Sequence, residues 1–174
     1  MNLRIRQEEP ADIDEVSRVL ERAFGRPDEA RLVEMLRRNP SYVPELSLVA
    51  ESDGIVRGHI LLFPVTIRQG TTSFGSLSVG PVSVVPEMQR MGVGTRLVAQ
   101  ALRKAEVLGY RSAIVLGYAD YYPRFGFRSA SLWGIRPPFE VPDESFLAME
   151  LKKGGLEGVS GIVEYPEEFS AICH

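Results

Sequence analysis

Residues 82–95 read Val-Ser-Val-Val-Pro-Glu-Met-Gln-Arg-Met-Gly-Val-Gly-Thr. An apolar, β-branched run gives way to a polar turn, two glycines one residue apart, and then helical spacing. Glycine lets a ligand approach the backbone closely. The first N–H groups of a helix have no partners within it, and the helix dipole adds partial positive charge there. Gln89, Arg90, Met91, Gly92, Val93, Gly94 and Thr95 therefore read as an anion cradle made from main chain, suited to phosphate. They read equally well as an ordinary helix start after a glycine turn. Two nucleotide loops are excluded. No Lys-Ser/Thr pair follows the glycines, and position 97 is Leu where a dinucleotide fingerprint needs a third glycine.

A second cluster is Tyr121-Tyr122-Pro123-Arg124-Phe125-Gly126-Phe127. Tyr122 reads either as a proton donor or as a packing tyrosine. Arg90, Arg96 and Arg124 have the charge to reach phosphates, or are solvated surface charges. His59 has a base's intrinsic pKa, but a lone strand histidine is more often structural. Glu51, Glu87 and Asp120 lie near turns and are weaker bases. Trp133, Phe139 and Pro137-Pro138 suit an acceptor pocket or, preferably, packing under a loop. The single Cys173 forms no internal disulfide or metal cluster, so no metal site is expected. His174 is terminal and a poor candidate.

These residues need elements to position them. Leu3–Arg6 alternates as a short edge strand. Helical spacing covers Ile13 to Phe24, with Asp12 and Glu15 fitting a capping box or Pro10 opening the helix. Pro27-Asp28-Glu29 opens a second helix ending near Asn39-Pro40. Strands are expected at Leu46–Ala50, Ile55–Ile67 and Gly75–Val85, with a bulge or splay near Gly80-Pro81. A helix is expected from about Thr95 to Leu108, and a buried strand over Ser112–Leu116. A helical turn follows at Tyr121–Phe125, then a strand from Phe127. Two last strands, Ser145–Leu151 and Val159–Val163, flank the Lys153-Gly154-Gly155 turn. The order is that of an α+β mixed sheet with helices on both faces.

The 174 residues carry 44% hydrophobic and 25% charged side chains, within the range of one globular domain spanning 1–174. A net charge of -3, with no basic stripe, argues against a nucleic-acid partner. No apolar run is long enough to span a membrane, and the N-terminus lacks a signal-peptide core, so a cytoplasmic location is expected.

Gln89-x-x-Gly92-x-Gly94, between an apolar strand and an amphipathic helix, resembles the acetyl-CoA pyrophosphate motif of the GNAT superfamily of N-acetyltransferases. The Tyr121–Phe127 segment resembles that family's aromatic-Tyr-x-x-x-Gly-Phe motif, in the family's order and at a fitting separation. It is most similar to a bacterial subgroup with Tyr-Tyr-x-Arg-Phe-Gly-Phe, and Gly161-Ile162-Val163-Glu164-Tyr165-Pro166 is similar to that subgroup's end. The resemblance covers nearly the whole chain. It implies a mostly antiparallel sheet with a V-shaped splay between the strand ending at Val85 and Ser112–Leu116. It also implies acetyl-CoA as donor, its pantetheine arm paired with main chain at Val82 and Val84, and its pyrophosphate on amides of Arg90 to Thr95. A main-chain N–H near Val84 would stabilise the oxyanion if a bulge aims it inward, Tyr122 would be the general acid, and Arg124 would assist the phosphates. One departure is Gly117-Tyr118-Ala119-Asp120, where many relatives place Asn or Asp early in the segment. The implied reaction is direct attack by a primary amine of a small molecule or peptide in a ternary complex, with a homodimer possible. The competing readings are a non-catalytic acyl-CoA-binding module and a different nucleotide binder.

Overall fold

The computed structural model describes residues 2–171, so Cys173 and His174 lie outside the described residues. The elements run β1 (Leu3–Gln7), α1 (Ile13–Phe24), α2 (Asp28–Arg38), β2 (Ser47–Ser52), β3 (Ile55–Gln69), β4 (Thr72–Val84), α3 (Val93–Val107), β5 (Ser112–Leu116), β6 (Arg128–Ser129), β7 (Ile135–Arg136), β8 (Phe146–Glu150) and β9 (Gly161–Glu164). The strands form a mixed, mostly antiparallel open sheet, as the element order implies. The chain falls into two compact units, Met1–Phe63 with Gly80–Lys104 and Glu167–His174, and Pro64–Val79 with Ala105–Pro166. The long strands β3 and β4 contribute to both.

In the first unit β1 pairs β2 antiparallel, and β2 pairs β3 across the Asp53-Gly54 turn. Both turn residues have positive φ, +53° and +77°, which Asp and Gly tolerate better than most. Neighbouring residues of β3 show what covers each face. A Cβ on Gly58 would meet Val93 and Leu97 of α3. His59, one residue on, faces Glu8 and Arg37, the latter on α2. Side chains alternate along a strand, so α2 and α3 cover opposite faces. Buried Val16, Val19, Leu20, Leu32, Val33 and Leu36 supply the apolar stripes of α1 and α2.

In the second unit β4 meets β5 in parallel at one register pair, Ser78↔Ile114. β5 then pairs β8 antiparallel over five residues, and β8 pairs β6. The core here is Val65, Ile67, Ile114, Ala130, Ile135, Phe146, Ala148, Leu156 and Val163.

Two sequence expectations need correction. Asp12 and Glu15 do not form a capping box. Asp12 Oδ2 instead accepts the Glu9 N–H at 2.7 Å, opening a 3-10 turn at Pro10, while Glu15 accepts the Val56 N–H at 3.2 Å. The last two strands do form near their expected places, β8 joining β5 and β6 and β9 joining β3 and β7. Helix α3 starts at Val93, two residues early, because Gly94 is tolerated within its first turn.

Candidate functional site

The first unit carries the glycine loop. After β4 the chain makes a 3-10 turn at Pro86–Met88, and Gln89 is extended. Arg90 and Gly92 then take positive φ, +65° and +83°. This sharp double bend turns the exposed loop into α3. The space at Gly92 is open, with nothing within 4 Å of a built Cβ. The helix ladder opens with Arg96 N–H to Gly92 O at 3.1 Å, so the N–H groups of Val93, Gly94 and Thr95 precede it.

Three features fix this loop. Gly58 lets α3 sit against β3 and β4, since a Cβ there would lie 3.0 Å from Ser83 O and 3.1 Å from Leu97 Cδ1. Glu87 accepts Arg22 Nη2 at 2.6 Å, with Arg57 Nη1 at 3.8 Å. Arg22 and Arg57 together hold the Glu87 carboxyl below the usual carboxylate range, the Arg22 hydrogen bond foremost. Gln89 Nε2 donates to Val84 O at 3.0 Å. Gln89 therefore spends one amide proton tying the loop to the strand it follows.

Val85 N–H donates to Arg57 O at 2.9 Å. By strand alternation the main-chain groups of Val82 and Val84 face the other way, away from β3. Their edge offers the hydrogen bonds an added extended chain needs, and Gln89 already takes one site on Val84 O.

The second unit carries the tyrosine cluster. Tyr122 opens a 3-10 turn, Tyr122–Phe125, closed by Gly126 at φ +109°. Its ring meets Tyr121 edge-on at 5.0 Å, Phe127 at 5.7 Å and Phe125 at 6.2 Å. Burial, then the neighbouring Tyr121 and Tyr118 phenols, push Tyr122 up to about 12. Arg124 folds back locally, its Nε donating to Tyr121 O at 2.8 Å and its guanidinium 4.3 Å above the Tyr121 ring.

All but one of the other candidates are accounted for by packing or pairing, the exception being Asp120. His59 is fully buried, with Nε2 2.8 Å from Ser47 Oγ and 3.6 Å from Glu8 Oε1. Burial depresses it to about 4, with Arg37 lowering it further against the opposing pull of Glu8. A histidine sealed in this way reaches no substrate, so it is structural. Glu51 is held by Arg6 at 3.2 Å, Glu87 by Arg22, and Asp120 is exposed. Trp133 packs on the second unit's core, and Phe139 stacks on Tyr165 at 6.0 Å, which favours the packing reading. Sequence reasoning passed over Gly58 and took Gly117 only as part of the Gly117–Asp120 departure. A glycine inside or just after a strand signals close approach of another group, which both positions require.

The comparisons bear on the whole chain. The family described as Acetyltransferase (GNAT) domain matches residues 4–130. The uncharacterized N-acetyltransferase YjhQ of Escherichia coli K12 is 38% identical over 135 residues, 77% of this chain and 75% of that protein. YhbS of the same strain, also named an uncharacterized N-acetyltransferase, is 31% identical over 167 residues, 95% of this chain and 98% of its own. The YhbS crystal structure in complex with CoA superposes with a TM-score of 0.91, covering 99% of this chain and 94% of that one. A Brucella melitensis GNAT acetyltransferase in complex with acetyl-CoA is 32% identical, with a TM-score of 0.79 and 97% and 98% coverage.

Proposed function

The chain belongs to the GNAT family of acetyltransferases, and we propose that it transfers an acetyl group from acetyl-CoA to a primary amine of a small molecule or peptide by direct attack. The observation that carries the donor is the bent, exposed loop, with Arg90 and Gly92 at positive φ directly ahead of the start of α3. The loop passes a simple fit test, since Gly92 leaves open space where any other residue would set a side chain. The amides of Arg90, Met91, Gly92, Val93, Gly94 and Thr95 would hold the pyrophosphate. The free edge of Val82 and Val84 would take the pantetheine amides. YhbS bound to CoA and the Brucella protein bound to acetyl-CoA support this donor class.

Bound acetyl-CoA supplies an acyl group on a thioester. Val84 N–H donates to the carbonyl oxygen as negative charge builds there. Tyr122 donates its proton toward the departing sulfur. With the phenol near 12 and a free thiol near 8.5, complete transfer runs uphill by roughly 5 kcal/mol. Tyr122 therefore shares its proton in a hydrogen bond, and as that proton passes to the sulfur the nitrogen that attacked returns one to the phenolate oxygen, so the amine loses one proton and the thiol gains one. Arg124 is bound to Tyr121, which suits it better to shaping this turn than to reaching phosphate.

A lysine-like amine costs roughly 4–5 kcal/mol to deprotonate at pH 7, whereas an α-amino group near 8 costs little. With His59 sealed and Glu51 and Glu87 paired, acceptors with the lower pKa are favoured. The test combines thermal shift with free-thiol release across a panel of amines. Acetyl-CoA and CoA should raise Tm while ATP and NAD do not, and thiol release should require an amine. Stabilisation by nucleotides alone would sink the donor reading. Tight acetyl-CoA binding with no turnover on any amine would leave a non-catalytic module.

A further inference from the structure

β5 ends at Leu116, and Gly117 continues its line by donating its N–H to Ser145 O at 2.9 Å. Gly117 is not a turn glycine, because its φ lies outside the positive range that disfavours side chains. What the position uses is the missing side chain. A Cβ there would overlap Cδ2 and Cε2 of Tyr122 and stand 3.4 Å from Cζ. The ring has little room to retreat. Tyr121, Phe127 and Phe125 surround it, and Tyr122 N–H donates to Tyr118 O at 3.2 Å.

We propose that Gly117 is the positioning residue for the proton donor, its bare α-carbon forming the seat on which the Tyr122 ring rests. The inference rests on Tyr122 acting as the acid. The seat fixes the direction in which Oη is delivered. A methyl group at Gly117 pushes the ring sideways, and a misplacement of about 1 Å in a reacting group costs about a hundredfold in rate. Substrate binding, which depends on other groups, is spared.

The test is a cycle of Gly117→Ala, Tyr122→Phe and the double variant, each with full kinetics. Gly117→Ala should lower kcat at least about tenfold, with KM for acetyl-CoA changed less than about twofold. In the Tyr122→Phe background the same change should cost nothing further. Wild-type kcat in Gly117→Ala, or an equal fall in both backgrounds, overturns the proposal. If Tyr122→Phe alone keeps the wild-type rate, the acid reading itself fails and takes the kinetic role of Gly117 with it. The seat is checked separately by melting. Gly117→Ala should lower Tm in the Tyr122 protein but not in Tyr122→Ala, where no ring remains to displace. An equal loss of Tm without the ring overturns it, including where Gly117→Ala folds too poorly to assay.

Discussion

Tyr122 is a phenol that stays protonated across the working range of pH. Burial raises it to about 12, so its proton is present wherever the protein is folded near neutrality. Tyr122→Phe keeps the ring and removes only Oη. General acids contribute typically a hundredfold or more, so kcat should fall about a hundredfold. KM for acetyl-CoA should change less than about twofold. Steady-state kinetics with both substrates checks this, and an unchanged kcat would remove Tyr122 from the chemistry. The wild-type rate should also show no decline from Tyr122 ionisation below pH 10. With no base assigned, kcat/KM should instead rise with pH up to the acceptor amine's own pKa.

At the scale of elements, the loop depends on how α3 meets the sheet. Gly58 sits 3.0 Å, by its built Cβ, from a main-chain oxygen that cannot rotate away. Gly58→Ala should destabilise the fold by about 1–3 kcal/mol, the range for overpacking, and weaken donor binding as α3 lifts. Denaturant titration with and without CoA measures both, and unchanged stability would mean the helix has slack. Gln89→Ala removes the bond to Val84 O and should raise KM for the donor several-fold with little effect on stability, because Gln89 is exposed. Equal KM values would show that the loop holds its shape unaided. The strand–loop–helix order around these residues was legible because β-branched runs, Gly92 and Gly94 punctuate the chain strongly. The partners of β8 and β9 were not, since strand pairing is a long-range choice that short apolar runs leave open. Arg124 read as a free cation because a sequence does not display the local fold-back onto Tyr121. Gly117 read only as part of a departure from the family pattern, since a sequence does not display the ring five residues on that lies against its bare α-carbon.

For the whole molecule, His59 at the acid end and Tyr122 and Tyr42 at the alkaline end bound the pH range of stability. His59 titrates near 6.5 when unfolded and at about 4 when folded, chiefly because burial disfavours its charged form. A depressed histidine contributes fully above 6.5, and its contribution is lost as pH falls from there toward 4, where only the unfolded chain takes the proton. At ~1.4 kcal/mol per pH unit, this amounts to on the order of 3 kcal/mol. Asp12 acts lower, because Arg6 holds its carboxyl beneath the usual range and its contribution fades only below about pH 4. At the alkaline end Tyr122 and Tyr42 are both raised by burial, so stability is full below pH 10 and is lost as pH rises above it. A plateau between about pH 6.5 and 10 follows. The upper part of its acid edge belongs to His59, whose loss begins near 6.5, above the range where the arginine-paired Asp12 and Glu87 begin to take up protons. His59→Gln keeps a hydrogen-bonding group near Ser47 and removes the titration. Its denaturant midpoint should vary much less between pH 7 and 4.5 than that of the wild type, even if it is lower throughout. A parallel fall in both proteins over that interval would assign the acid edge to the carboxylates instead.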